Sequence, residues 1–200
     1  MMLIDSVLEH LDLEQIETNL FRGISEALGP SRVFGGQVIG QALIAALRTI
    51  EGRPCHSLHG YFLRPGDPSI PIIYEVDRIR DGKSFTTRRV IAIQKGEAIF
   101  NMSASFQIFE DGLSHQIEMP DVPRPDDLPA EEEMFEKRKK DMTPEMITMM
   151  KRDRPVEMKR VEDIDYLNPV KSDPVQHIWF KSKKKLGDDP AQHQCLLAYA

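Results

Sequence analysis

The stretch VFGGQVIGQALIAALRTI, residues 33–50, constrains the fold more than any other part of this chain. From Val38 onward its apolar residues point in nearly every direction around a helix, with Gln41 and Arg48 as the main interruptions. A helix that is apolar on all sides must be buried. The stretch is short for a bilayer crossing and carries polar residues, so it predicts a central helix inside a protein core and no membrane span.

Strand-like runs that follow the helix can supply its cover. Residues 98–108 alternate apolar and polar side chains, which predicts a strand with one buried face. Asp81-Gly82 and Lys95-Gly96 are typical of tight hairpin turns. We predict a short N-terminal helix, a first strand within residues 13–23, the central helix, and then a four-stranded antiparallel meander wrapped around it.

Three segments are predicted along the chain. Residues 1–115 form the first helix-in-sheet unit, and Pro120, Pro123, Pro125 and Pro129 mark a linker within residues 116–154. The rest of that segment predicts one or two exposed helices that are rich in methionine. The methionines either pack against the linker side or grip a partner or an acyl chain. Residues 155–200 again contain two strand-like runs, at 156–161 and 177–181, and then an apolar helix.

Composition narrows the possible partners. The formal net charge of −6 argues against nucleic acid as a partner, because phosphate binding relies on clustered Lys and Arg. Cys55 and Cys195 are isolated, which fits a reducing compartment and a cytoplasmic location. No metal or cofactor constellation is visible, and the first residues do not have the pattern of a secretion signal.

The start of the central helix is a candidate site. Gly35 and Gly36 leave the backbone accessible, and the first turn of a helix has N–H groups without internal partners. A buried helix start can hold an oxyanion or a carbonyl oxygen. Alternatively, Gly36 and Gly40 simply allow the helix to approach the sheet closely.

The order of several long blocks resembles the acyl-CoA thioesterase II family. These blocks are VFGGQVIGQAL, HSLHGYFLRPGDP, IIYEVDRIRDGKSF, RRVIAIQKGEAIF and MSASFQ, with the closing HQCLLAYA. The resemblance implies an α+β hot-dog fold, in which an antiparallel sheet wraps a central helix. It further implies a double hot-dog, with residues 155–200 as the start of a second unit that is incomplete in this chain. The family cleaves medium-chain and long-chain acyl-CoA to free fatty acid and CoA, which places it in lipid metabolism and requires no cofactor.

The resemblance also implies where hydrolysis takes place. The family's catalytic Asp comes just after the central helix of the second unit, and a Ser or Thr and a Gln follow on later strands. In this chain those positions would lie beyond Ala200. We therefore assign no catalytic residue within the chain, expect it to be inactive alone, and expect the natural protein to continue further.

Substrate contacts are predicted in the first unit. The candidates are Gly35, Gly36, His59, Tyr61 and Arg64, which would line the acyl tunnel or contact CoA. Arg64 could meet a phosphate or form an ordinary salt bridge. We expect acyl-CoA as the substrate and a homo-oligomer as the assembly.

Two other functions are compatible with the same patterns. One is a non-catalytic hot-dog module that binds acyl-CoA or a partner protein. The other is a hot-dog hydratase or dehydratase, which needs an acid and a His at one substrate carbon. His59 has no evident acidic companion, so this second alternative ranks last.

Overall fold

A computed structural model describes residues 3–25, 32–165 and 167–200 of the chain. The chain divides into two compact units. Residues 5–112 and 186–200 form the first unit. Residues 113–185, together with residues 3 and 4, form the second. The segment boundaries predicted from the sequence stay predictions, and each compact unit is described by itself below.

The central helix, α2 (Gly35–Leu47), occupies the concave side of a six-stranded antiparallel sheet in the first unit. The elements are α1 (Leu3–Leu11), β1 (Glu14–Glu17), β2 (Leu20–Gly23), α2 (Gly35–Leu47), β3 (Cys55–Phe62), β4 (Ile72–Asp81), β5 (Phe85–Gln94), β6 (Glu97–Gln107) and, at the end of the chain, α5 (Pro190–Tyr199). The strands lie in the order β1-β2-β4-β5-β6-β3. The predicted α+β hot-dog unit is confirmed.

The core forms between α2 and the inner face of the sheet. Ala42, Leu43, Ala45 and Ala46 of α2 are almost completely buried. They belong to one apolar cluster with residues from β2, β4, β5 and β6, which include Phe21, Tyr74, Val90, Phe100, Met102 and Phe106. The predicted alternation of the last strand is confirmed, because its apolar face packs in this cluster. Burial of this face provides the main driving force for the wrapping of the helix by the sheet.

The predicted single strand within residues 13–23 is wrong. The structure has two short strands there, β1 and β2, which pair antiparallel through a turn at Thr18 and Asn19. Asn is a favoured turn residue, and it interrupts an apolar alternation that looked continuous in the sequence.

The predicted four-stranded meander is also wrong in one respect. Strands β4, β5 and β6 follow one another, but β3 pairs with β6 and not with β4. The connection from β3 to β4 contains Pro65, Pro68 and Pro71, and it is too long for a tight hairpin. As a result, β3 forms one edge of the sheet, and β1 forms the other.

Both predicted hairpin turns are confirmed. Gly82 donates a backbone hydrogen bond to the Phe85 carbonyl over 2.8 Å where β4 turns into β5. Lys95 and Gly96 connect β5 to β6 with φ angles of 50° and 78°. Two successive positive φ angles are the signature of a type I′ turn, which favours Gly at the second position.

The second unit contains two short helices and a two-stranded sheet. Helices α3 (Glu131–Arg138) and α4 (Pro144–Met150) follow a 3-10 turn over Pro125–Asp127, and β7 (Val156–Arg160) pairs antiparallel with β8 (Ile178–Ser182). These elements confirm the helices and strands predicted for this region. Among the described residues, no helix is long and apolar enough to cross a membrane.

Candidate active site

Helix α2 begins with the two glycines that the sequence singled out. Phe34 precedes them without a capping side chain, and no acidic residue lies in the first helical turn. The first N–H groups of a helix lack partners within the helix and carry partial positive charge. This helix start can therefore donate hydrogen bonds to a carbonyl oxygen or an oxyanion.

Both glycines are in close contact with neighbouring groups. A β-carbon on Gly35 would lie 2.8 Å from Cζ of Phe62, and one on Gly36 would overlap the carbonyl oxygen of Tyr199. The rings of Phe34 and Tyr199 lie 5.1 Å apart between centroids. These contacts favour the packing interpretation of Gly36, although its neighbour is helix α5 and not the sheet as expected.

Helix α5 runs antiparallel to α2, and close backbone contacts hold it there. A β-carbon on Gly40 would lie 3.3 Å from the Cys195 carbonyl oxygen, one turn along from the contact between Gly36 and Tyr199. The Gln194 side chain accepts a hydrogen bond from the Cys55 amide at 3.0 Å and donates one to the Cys55 carbonyl at 2.8 Å. The C-terminal end of α5 is thus fixed beside the N-terminal end of α2.

A buried polar cluster lies behind the helix start. Gln41 donates to the carbonyl oxygens of His10 and Ile24, at 2.7 and 2.9 Å, and accepts a hydrogen bond from the Tyr74 hydroxyl at 2.7 Å. Gln37 also donates to the Ile24 carbonyl, at 2.9 Å. Burial raises the pKa of Tyr74 well above its ordinary value, so the hydroxyl keeps its proton and donates.

Sequence analysis missed this cluster and noted Gln41 only as an interruption. The available signal was the pair of glutamines at i and i+4 in an otherwise apolar helix, since residues at this spacing share one helix face. Tyr74 gave no local signal, because its strand reads as an ordinary apolar run.

The remaining predicted contacts are not gathered at the helix start. His59 and Tyr61 lie opposite Ser103 and Asn101 of β6, on the outer face of the sheet, and their rings lie 4.8 Å apart. Phe62, the next residue, turns to the inner face and reaches Gly35. Strand alternation separates these neighbours. The roles predicted for these side chains stay predictions.

Arg64 lies just beyond β3 and is engaged by neighbouring groups. Its Nη1 donates to the Ala98 carbonyl at 2.8 Å, and its Nε lies 3.6 Å from the Glu97 carboxylate. The side chain is about half exposed, so a further anionic partner can still reach it. The geometry favours the salt-bridge interpretation.

Neither cysteine has the character of a nucleophile. Burial raises the pKa of Cys195 to about 12 and also raises the pKa of Cys55. Within residues 3–25, 32–165 and 167–200, no group of His, Cys, Asp and Glu side chains could hold a metal ion.

Comparison with known proteins decides the family. A family model described as the acyl-CoA thioesterase N-terminal domain matches residues 25–107. Acyl-CoA thioesterase 2 of Haemophilus influenzae is 39% identical over 98% of this chain and 69% of its own length. The chain belongs to the acyl-CoA thioesterase II family. Human acyl-coenzyme A thioesterase 8 is 36% identical over 94% of the chain, which spans 62% of that relative.

Solved structures agree with this membership of the acyl-CoA thioesterase II family. Acyl-CoA thioesterase II TesB2 from Mycobacterium marinum is 44% identical with a TM-score of 0.73, over 96% of this chain and 66% of its own. A tesB protein from Mycobacterium avium subspecies paratuberculosis is 28% identical and has a TM-score of 0.77. The match covers 98% of this chain and 68% of that protein. A protein with a hot-dog fold from Alicyclobacillus acidocaldarius supports the fold alone, because it is only 21% identical. Its TM-score is 0.70, and the match covers 96% of this chain and 68% of that protein.

Proposed function

We propose that this chain is part of an acyl-CoA thioesterase that hydrolyses medium-chain and long-chain fatty acyl-CoA to free fatty acid and CoA. The observation that carries the proposal is the 39% identity to an acyl-CoA thioesterase over nearly the whole chain. The uncapped helix start at Gly35 and Gly36 supports it, because thioester hydrolysis needs a donor for the developing oxyanion.

In this proposal the first unit holds the substrate. The first N–H groups of α2 polarise the thioester carbonyl, and the exposed rings of Phe34 and Phe62 beside them border the acyl tunnel. His59 and Tyr61 on the outer face, together with Arg64, contact the CoA portion. The half-exposed Arg64 guanidinium is suited to a phosphate.

The groups that activate water are proposed to lie in sequence that follows Ala200. The C-terminal end of α5 lies beside Gly36, so a chain that continues past Tyr199 would emerge next to the proposed oxyanion donors. An acid at that place could act as the general base for the attacking water.

We further propose a homo-oligomer in a reducing compartment such as the cytoplasm. The edge strand β3 exposes Leu58, Tyr61 and Phe62, and an exposed apolar edge tends to pair with another chain. The two cysteines are both free thiols, as expected where disulfides do not persist.

Two measurements on the protein isolated from its natural source test the proposed hydrolysis. The first is intact mass, compared with the 22.9 kDa of these 200 residues. The second is thiol release from octanoyl-CoA and palmitoyl-CoA. A larger mass with thiol release supports the proposal. A mass of 22.9 kDa with acyl-CoA binding but no thiol release would replace it with the non-catalytic binding module.

A further inference from the structure

A cavity of about 310 Å³ lies within the second unit, among helices α3 and α4, strand β7 and the residues after it. Six of its lining residues are methionines, and the function proposed above uses none of them. They are Met134, Met142, Met146, Met149, Met150 and Met158. The volume lies near the lower end of the range of small-ligand pockets, which is about 300–1,000 Å³.

These methionines border open space and do not fill a core. No residue of α3 or α4 is buried. Methionine is unbranched and flexible, so a cavity lined by it adapts to an irregular or flexible apolar ligand. An unbranched aliphatic chain of medium length suits both the lining and the volume.

Lys159 of strand β7 also lines the cavity. Its Nζ donates to the carbonyl oxygens of Pro125 and Leu128, at 2.8 and 3.2 Å. An ammonium group has three N–H donors, so one is left for a further partner. No ion pair between described residues involves Lys159.

Two neighbouring cations of the wall, Arg138 and Arg154, differ from Lys159. Arg138 pairs with Asp163, and Arg154 lies 3.1 Å from Glu131. Their charges are balanced within the protein, whereas two neutral carbonyl groups hold the Lys159 ammonium without neutralising it. A carboxylate from a ligand would provide the missing opposite charge and accept a charge-assisted hydrogen bond.

We propose that this cavity binds a free unbranched fatty acid of medium length. The carboxylate pairs with Lys159 and the aliphatic chain lies among the methionine side chains. The site uses residues of the second unit only and does not require that this chain hydrolyse anything. Binding here is thus a separate property from the thioester chemistry proposed for the helix start of the first unit.

Calorimetric titration of the protein with decanoate, decanol and decanoyl-CoA tests the site. Lys159→Met should weaken decanoate binding about tenfold or more, the effect of losing one charge-assisted hydrogen bond, and leave decanol binding unchanged. Retained decanol binding would also demonstrate that the variant is folded. Lys159→Arg keeps the charge and should retain decanoate binding.

Two matched variants separate the site from general effects. Lys181→Met removes an exposed lysine of β8 that lies 3.3 Å from Glu157, and it should leave decanoate binding unchanged. Met146→Glu places a charge among the methionine side chains of the cavity, and it should abolish binding of both decanoate and decanol. The substitution lies in the first turn of α4, where an acidic residue is favourable to the helix. Thr148→Glu, on the same helix but outside the lining, is its control.

Three results would overturn the proposal. The first is no binding of decanoate to the unsubstituted protein. The second is decanoate binding that Lys159→Met leaves intact, which would mean that the carboxylate is not recognised. The third is stronger binding of decanoyl-CoA that Met146→Glu abolishes, which would assign the cavity to an acyl thioester.

Discussion

The carbonyl oxygen of Tyr199 occupies the space that a β-carbon on residue 36 would need. Only glycine allows the C-terminal end of α5 to lie this close to the first turn of α2. The carbonyl belongs to the backbone, so it cannot move aside as a flexible side chain would. The contact fixes the ends of two helices whose residues are far apart in the sequence.

Gly36→Ala should lower the free energy of unfolding by about 1–3 kcal/mol, because overpacking forces the two helices apart. Urea denaturation monitored by circular dichroism would measure the change. Gly112→Ala is the control, since nothing lies within 4 Å of a β-carbon placed there. Equal stability of the two variants would contradict the close approach of the helices.

Arg88 should be far more important for stability than its neighbour Arg89. Its side chain is 1% exposed. The guanidinium donates to the Thr49 hydroxyl, the Thr49 carbonyl and the Asp81 carboxylate at 2.8, 3.2 and 2.6 Å. Arg88→Met leaves buried acceptors without donors and should cost about 2–4 kcal/mol.

Arg89→Met is the matched comparison on the same strand. The Arg89 side chain is 53% exposed and pairs with Asp77 at the surface, and loss of such a pair costs less than about 1 kcal/mol. Thermal or urea unfolding of both variants measures the difference. A loss for Arg88→Met as small as that for Arg89→Met would contradict the structural role of the buried guanidinium.

Gln41 and Tyr74 should show energetic coupling. Gln41→Leu leaves the fully buried Tyr74 hydroxyl without its acceptor and should cost about 1–3 kcal/mol. Tyr74→Phe leaves the Gln41 carbonyl oxygen without its donor. The double variant should be less destabilised than the sum of the two single variants, as a double-mutant cycle in urea would measure. Strict additivity would mean that the two side chains do not interact.

Asp67 should titrate at an unusually low pH. A hydrogen bond from the Ser69 hydroxyl, then one from the Ser69 amide and one from Lys95, lower the pKa of this carboxyl to about 2. A lowered pKa stabilises the fold at pH values above the ordinary pKa. That contribution should be lost as the pH falls from about 4 to about 2.

Carbon-13 NMR of the Asp67 carboxyl group would test this assignment. Ser69→Ala removes the largest cause and should raise the pKa toward its ordinary value. Asp67→Asn should reduce the pH dependence of stability in the same interval. A carboxyl pKa that Ser69→Ala leaves unchanged would show that the hydroxyl is not responsible.

Local patterns in the sequence predicted most of the elements. The buried helix was evident because apolar residues surround its axis, and the last strand was evident from strict alternation up to Phe106. Lys95-Gly96 identified a turn through the backbone conformation that glycine permits. The single strand predicted for residues 13–23 failed because a two-residue turn at Thr18 and Asn19 gave only a weak signal.

The candidate site was less accessible to sequence reasoning. Gly35 and Gly36 were identified, but their neighbours Phe62 and Tyr199 come from a different strand and from a helix at the end of the chain. Tyr74 gave no sign that it would meet Gln41. Such contacts depend on long-range packing, which leaves no periodic trace in a single chain.

The sequence by itself determined the nature of the elements and the family to which the chain belongs. Side-chain periodicity and turn residues act over a few positions, so they can be read directly from the order of residues. Only the tertiary structure decided that β3 pairs with β6 and that α5 lies against α2. The reason is that these relationships depend on which distant surfaces bury one another, and that choice is made by the packing of the whole unit.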